Sequence, residues 1–294
     1  TGSADVVLAG GVESMSNVEY YTTSMRGGAR AGSVKLHDRL ERGRERSQPA
    51  ERFGMISGMI ETAENLAREF NISRTSADEL AADSHEKAKS AWERNLFNGE
   101  VVPVKVPQAP GEHITVQKDE VIRSDVTVEK LSKLKPLLEG GVVTAGNSSQ
   151  QNDAAAACLV IAEDKLSTLN LEPLAYLKSW AAAGCEPAKM GIGPVPAVER
   201  LFSRTGIQWD DIDLIELNEA FAVQVLAVTK SWGLQDFSRL NVNGSGISLG
   251  HPIGATGARI MTSMLYELER INGKFALETM CIGGGQGMAA LFER

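Results

Sequence analysis

The sequence predicts an α/β fold, and three observations carry that reading. Short apolar runs alternate with segments of helical rhythm along most of the 294 residues. Glycine-rich turns close several of the runs, as Gly10-Gly11 closes ADVVLA (4–9). Polar residues stand at the ends of other runs, where open α/β sheets collect ligands. Together these features imply a largely parallel, buried sheet covered by helices.

Taken in order, ADVVLA reads as a buried parallel strand, because it is short and continuously apolar. Residues 12–58 are irregular and include the arginine-rich tract LHDRLERGRERSQPAER, which reads as a solvated or subunit-contacting face. Amphipathic helices are expected over 61–70 and 76–95, the second opened by a capping box of Ser76 and Glu79. VVPVKV (101–106) and HITV (113–116) read as strands joined through a Pro-Gly turn, and 127–138 as a helix. A strand, a polar loop over 146–153 and a small-residue run containing Cys158 follow. A strand over 174–181 leads through a Gly/Pro-rich loop holding Cys185 to a helix over 197–205. DLIEL (213–217) is a strand that turns at Asn218-Glu219 into a helix, a short strand is expected at 240–243, and the chain ends in a hairpin.

The balance of charge narrows the functions available. A formal net charge of −8 disfavours a nucleic-acid or anionic-membrane surface, and no apolar run approaches the ~20 residues that span a bilayer. Three widely spaced cysteines, Cys158, Cys185 and Cys281, suit a reducing compartment and lack the CxxC spacing of a metal site. No metal is therefore expected. Cys158 and Cys185 read as small structural residues. The start at Thr1 enters abruptly on a strand and carries no secretory pattern, so it reads as the middle of a domain.

The sharpest stretch is NVNGSGISLGHPIGATGAR (241–259), which places His251 between Gly250 and Pro252 just ahead of a helix. A lone histidine is ordinarily structural, but this one sits among five glycines with little to pack against. Glycine lets backbone approach a ligand, proline fixes the turn, and a helix N-terminus favours negative charge. Cys281 precedes IGGGQG, whose N–H groups suit an oxyanion hole, and Asn218 could orient a water or a carbonyl. A thiol near an imidazole could transfer protons or act as a nucleophile.

AGGVESMS (9–16), NEAFA (218–222), GHPIGATGAR (250–259) and CIGGGQGMA (281–289) resemble signatures of the thiolase family of acyl-CoA C-acyltransferases. TAGNSSQQNDAAAA (144–157) and SWAAAGCEPAKMGIGPVPA (179–197) resemble its other marked segments, in the family's order over nearly the whole chain. The resemblance implies the thiolase fold: two similar βαβαβαββ halves layered α/β/α/β/α, the first incomplete here, with an inserted loop domain. Residues 1–13 and 152–171 would be the remnant of the N-terminal half, 14–151 the loop domain, and 172–294 the C-terminal half. A half without its leading strands would expose sheet edges and apolar surface.

Thiolases cleave 3-ketoacyl-CoA with free CoA, or run the reverse Claisen condensation, through an acyl-cysteine. By this resemblance His251 would activate the nucleophile and, with a water held by Asn218, polarise the thioester oxygen. Cys281 would move the α-proton or protonate the leaving thiolate, and Gly283 would donate to a second oxyanion hole. Met59, Arg123, Ala145, Ser149, Met190 and Phe221 would contact CoA: Arg123 the nucleotide, Ser149 the pantetheine amides, Met190 and Phe221 the apolar neck. Coenzyme A would be a substrate, with no tightly bound cofactor. The family's nucleophile lies ahead of the ADVVLA strand, before Thr1, and neither Cys158 nor Cys185 matches its position. Gly58 ahead of Met59 and Ser245 after Gly244 depart from the family's usual pattern, which leaves chain-length preference open.

A homodimer or homotetramer is expected, with the arginine-rich stretch 26–52 at the tetramer contact, and no nucleic-acid or membrane partner. The implied compartment is the bacterial cytoplasm, with mitochondrion and peroxisome open because a targeting segment would precede Thr1. LFER at the C-terminus is no SKL-type signal. Two rivals stand beside this reading. A ketoacyl-synthase-type condensing enzyme is opposed by the Cys281-IGGGQG ending. A non-catalytic or truncated CoA-binding protein is favoured by the missing nucleophile and opposed by Asn218, His251 and Cys281 together.

Overall fold

The computed structural model of the chain describes residues 2–54 and 58–294, so Thr1 and the part of the 12–58 tract at 55–57 lie outside the described residues. The chain begins with β1 (Val6–Ser14) and two short strands, β2 (Tyr20–Tyr21) and β3 (His37–Asp38), that pair antiparallel. Helices α1 (Arg39–Glu45), α2 (Ala50–Phe53), α3 (Met59–Glu69) and α4 (Arg74–Glu93) follow. Strands β4 (Val104–Pro107) and β5 (His113–Val116) form the expected hairpin, and α5 (Val128–Ser132) precedes β6 (Asp153–Ile161).

The C-terminal part contains α6 (Leu166–Leu169), β7 (Tyr176–Gly184), α7 (Pro194–Thr205), β8 (Leu214–Leu217) and α8 (Ala222–Trp232). The one-turn α9 (Gly246–Leu249), α10 (Thr256–Arg270), β9 (Phe275–Ile282) and β10 (Gln286–Glu293) complete it.

The largest sheet has the order β7-β10-β9-β8. Side chains alternate across it with period two. Ile215, Leu217, Leu277 and Leu291 face α7 and α8, where Val198, Leu201, Val225 and Val228 are buried. Leu214, Ala276 and Phe292 face the opposite way, onto Met264 and Leu268 of α10. Each fully buried leucine contributes on the order of 2 kcal/mol. The sheet is covered on both faces at β8 and β9, but Trp180 of β7 (55% exposed) and Met288 of β10 (42%) leave one face open there. Nor is it the largely parallel sheet that the sequence implied. Only β8 and β9 run parallel; β7/β10 and β10/β9 are antiparallel. The cause is the closing hairpin, whose tight turn reverses the chain at 283–285. The strand expected at 240–243 reduces to a single parallel bridge between Leu240 and Ile215, which marks a fifth position beside β8.

β1 corrects the sequence reading most clearly. It pairs antiparallel with β6 in a two-stranded ribbon, running through Gly10 and Gly11 rather than stopping there. One face of the ribbon packs on α10, and the other is open, leaving Leu8 75% and Val12 73% exposed. A Cβ at Gly11 would meet Gly254 O at 1.9 Å, so glycine is what lets the ribbon touch the turn after His251. Cys158, read as a core residue, is half-buried on β6.

Other boundaries moved for local reasons. α3 starts two residues before the expected 61. α4 starts at Arg74 because Ser73, not Ser76, is its cap: the Ser73 hydroxyl oxygen accepts the Ser76 N–H at 3.0 Å. Along α4, Ala77, Ala81, Ser84, Ala88 and Ala91 form one small, buried face that lets α8 and α9 approach. α5 covers only part of 127–138; Pro136 supplies no helical N–H, and the Leu131 and Leu134 carbonyls turn to the Arg74 guanidinium. No strand forms over 142–144, because the N–H groups of Val142 and Val143 donate to Glu64 Oε1 at 2.8 and 2.7 Å instead. β7 is shifted toward the C-terminus relative to 174–181, and α7 begins three residues before 197, with Pro194 at its first position. No helix among the described residues is long and apolar enough to cross a membrane.

Candidate active site

The site is built at one end of the β8/β9 pair. Leu217 of β8 pairs with Thr279 of β9, and the Asn218 N–H then donates to Thr279 O at 3.1 Å. Asn218 therefore leaves β8 at the same end at which Cys281 stands, one residue before the end of β9. Parallel neighbours deliver both residues to one edge, as expected at the C-terminal ends of parallel strands.

His251 reaches the same edge from the turn between α9 and α10. Asn218 Nδ2 lies 3.5 Å from His251 Nδ1 and 3.4 Å from Nε2, so the carboxamide spans the two ring nitrogens. The His251 N–H donates to Asn152 Oδ1 at 3.0 Å, and the Gly254 N–H to Glu13 Oε2 at 3.0 Å. Glu13 on β1 and Asn152 just before β6 thus hold the turn from one end of the ribbon. His251 Nδ1 also stands 2.7 Å from Thr256 Oγ1.

Beneath the turn, Glu219 ties the NEAFA segment to α9. Its carboxylate accepts from Ser84 Oγ (2.6 Å), Asn241 Nδ2 (3.0 Å) and the Ile247 N–H (3.2 Å). Burial raises its pKa from the ordinary value, and those hydrogen bonds oppose the rise.

Electrostatically, the two candidate proton carriers are both neutral near pH 7. Burial, assisted by the Arg259 charge, lowers His251 to about 4. Burial pushes the Cys281 thiol up to about 12, with Cys185 nearby adding to the rise. The structure accordingly offers an imidazole with a free lone pair and an intact thiol.

Gly283 sits in the turn after β9, and a Cβ there would meet nothing within 4 Å, so its peptide borders open space. Gly287 opposes Cys281 across the hairpin and touches Gly193, where a Cβ would lie 2.1 Å from the Gly193 carbonyl carbon. The Cys185 N–H donates to Gly285 O at 2.8 Å, so the loop of Cys185 is pinned to the loop that follows Cys281.

The residues expected to meet CoA lie in three places. Ser148 bridges Phe221, and the Ser149 N–H donates to Ala220 O at 2.9 Å, which lays the 144–149 loop along the NEAFA segment. Ala145 is exposed and Ser149 half-buried on that loop. Met59 opens α3, which packs on the 3-10 turn Pro187–Ile192 that carries the buried Met190. Arg123 is exposed and held by α4, its N–H donating to His85 Nδ1 at 3.4 Å. No group of three or more His, Cys, Asp or Glu that could hold a metal occurs among the described residues.

Sequence reasoning missed Glu13, Asn152 and Thr256, each of which touches the His251 turn. Glu13 and Asn152 lie more than ninety residues from it in sequence, and no spacing rule reaches that far. Thr256 carried a signal: a hydroxyl residue at the first turn of a helix, five positions after the histidine.

Comparisons with known proteins agree with this geometry. The family model for the thiolase N-terminal domain matches residues 1–164, and that for the thiolase C-terminal domain matches residues 171–294. A Cupriavidus necator protein named beta-ketothiolase BktB is 48% identical over 295 residues, covering 100% of this chain and 73% of that protein. The crystal structure of the Bacillus anthracis acetyl-CoA acetyltransferase superposes with a TM-score of 0.93 at 41% identity, covering 99% of this chain and 72% of that one. Human mitochondrial 3-ketoacyl-CoA thiolase in complex with CoA superposes with a TM-score of 0.89 at 42% identity, covering 99% and 71%. On this fold and these matches, the chain belongs to the thiolase family.

Proposed function

We propose that the protein is an acyl-CoA C-acyltransferase that cleaves 3-ketoacyl-CoA with coenzyme A, or condenses two acyl-CoA molecules in reverse. The observation that carries this reading is the convergence of Asn218, His251 and Cys281 at one end of the β8/β9 pair, with Asn218 in contact with His251. The family membership and the CoA complex of the human relative support it.

In the thiolysis direction, a cysteine ahead of Thr1 gives its proton to the neutral His251, and its sulfur attacks the 3-keto carbon. The C2–C3 bond breaks, and its electron pair forms the enolate of the departing acyl-CoA. Cys281 donates its thiol proton to C2. The incoming CoA thiol then passes its proton to the Cys281 thiolate and attacks the acyl-cysteine. As the acyl–sulfur bond breaks, His251 returns its proton to the leaving cysteine. Donors stabilise the oxyanions: a water on Asn218 with His251 at one carbonyl, and the Gly283 N–H at the other. A thiol held as high as Cys281 is a stable acid between turnovers.

Met190 and Phe221 supply the apolar neck of the CoA channel, Ser149 meets the pantetheine amides and Arg123 the nucleotide, with Met59 and Ala145 as further CoA contacts. The division into 1–13 with 152–171, 14–151 and 172–294 belongs to the same reading, as do a homo-oligomeric state and a bacterial cytoplasmic location. The test is thiolysis of acetoacetyl-CoA with mass spectrometry of the acylated protein. Turnover with the acyl group on a cysteine other than Cys158, Cys185 and Cys281 supports the reading. CoA binding without turnover, in a polypeptide that carries the upstream cysteine, overturns it.

A further inference from the structure

His251 is a neutral imidazole in this fold, so one ring nitrogen carries the proton and the other the lone pair. Which one is decided by Thr256. Its Oγ1 has a single proton and two close partners: Pro252 O at 2.8 Å and His251 Nδ1 at 2.7 Å. Pro252 O can only accept, and it also receives the N–H groups of Ala255 and Thr256 at 2.7 and 2.8 Å. The hydroxyl proton therefore belongs to the Pro252 carbonyl. Were it turned to Nδ1 instead, two oxygens without a proton between them would face each other at 2.8 Å inside the protein. With its proton committed, Oγ1 can only accept from Nδ1.

We infer that Thr256 is the positioning residue that holds the proton of His251 on Nδ1 and leaves the lone pair on Nε2. The arrangement is rigid. Thr256 is fully buried at the first position of α10, and its hydroxyl back-bonds four residues to a carbonyl whose φ is fixed by proline. Asn218 Nδ2 stands 3.5 Å from Nδ1 and 3.4 Å from Nε2, so it does not choose between the ring nitrogens, and the choice falls to Thr256. A histidine that must accept a proton needs the accepting nitrogen specified in advance, and the hydrogen bond at the other nitrogen specifies it. That use of the lone pair rests on the function proposed above; the tautomer itself does not.

The experiment is long-range 1H–15N correlation on protein labelled at its four histidines, with the His251 signals assigned by their loss in His251→Gln. Expected in the wild type is a protonated Nδ1 and an unprotonated Nε2, unchanged in Thr256→Ser. Thr256→Val should lose the Nδ1–H signal pattern in favour of the Nε2–H form or a mixture. A wild-type spectrum with the proton on Nε2 overturns the inference, and so does an unchanged Nδ1–H tautomer in Thr256→Val. If the valine variant fails to fold, the wild-type and serine spectra still decide. In the acylating enzyme, Thr256→Val should lower kcat by about 10²-fold with KM unchanged, and Thr256→Ser should restore it. Absent turnover in every variant, with the expected tautomers present, would count against the proposed function and leave the assignment to Thr256 standing.

Discussion

Asn152 Oδ1 accepts the His251 N–H at 3.0 Å, and the same carboxamide occupies the space that a side chain at Gly250 would need. A Cβ on Gly250 would lie 2.5 Å from that oxygen, in a backbone with φ of +95° that L-residues rarely adopt. Gly250→Ala should therefore cost about 1–3 kcal/mol. Asn152→Ala, which loses one hydrogen bond, should cost about 1 kcal/mol. In urea unfolding the double variant should recover the part of the Gly250→Ala loss that is steric. Wild-type midpoints in Gly250→Ala would refute the packing described for this turn.

The glycines of the final hairpin separate into two kinds. At Gly287 a Cβ would meet the Gly193 carbonyl carbon and oxygen at 2.1 Å, backbone against backbone, with no flexible side chain to yield. Gly287→Ala should cost about 3 kcal/mol or more. At Gly283 the space is open, so Gly283→Ala should unfold within about 0.5 kcal/mol of wild type. Equal losses in the two variants would contradict the close approach of β10 to the start of α7.

Buried ionisable groups set the dependence of stability on pH. His251 and His85 are both lowered from 6.5 to about 4, chiefly by burial. Between those values the unfolded chain binds more protons, so stability falls as pH drops below 6.5 toward 4. Glu278 and Glu100 are raised from 4.5 to about 8 and about 7, again chiefly by burial. There the folded chain binds more protons, so stability falls as pH rises from 4.5 through 7 and 8. The two trends oppose each other from 4.5 to 6.5, giving a plateau with a decline on each side. Denaturation midpoints measured across pH 4–9 check this, and Glu278→Gln should flatten the alkaline decline. Stability rising steadily through pH 8 would contradict the burial of these carboxyls.

Chemistry-bearing positions were more legible in the sequence than the architecture around them. Asn218, His251 and Cys281 each stand at the end of an apolar run or beside a glycine turn, a local signal, and the structure puts all three at the β8/β9 edge. The closing hairpin was legible because its turn is three glycines between two apolar runs. Strand direction was not, since a short apolar run carries no sign of its partner; β1 proved antiparallel and half-open. Partners across long separations were also hidden. Glu64 takes two N–H groups at 142–143 that sequence reading gave to a strand, and Asn152 holds His251 across 99 residues. Such bonds depend on how elements pack, which local composition does not encode.

The central claim is that His251 and Cys281 carry protons in one reaction. It is tested most directly by kcat for acetoacetyl-CoA thiolysis in His251→Ala and Cys281→Ala, each made in the polypeptide that bears the acyl-accepting cysteine. Each variant should fold as wild type and turn over at least about 10²-fold more slowly. Full turnover in either one would contradict the roles proposed here.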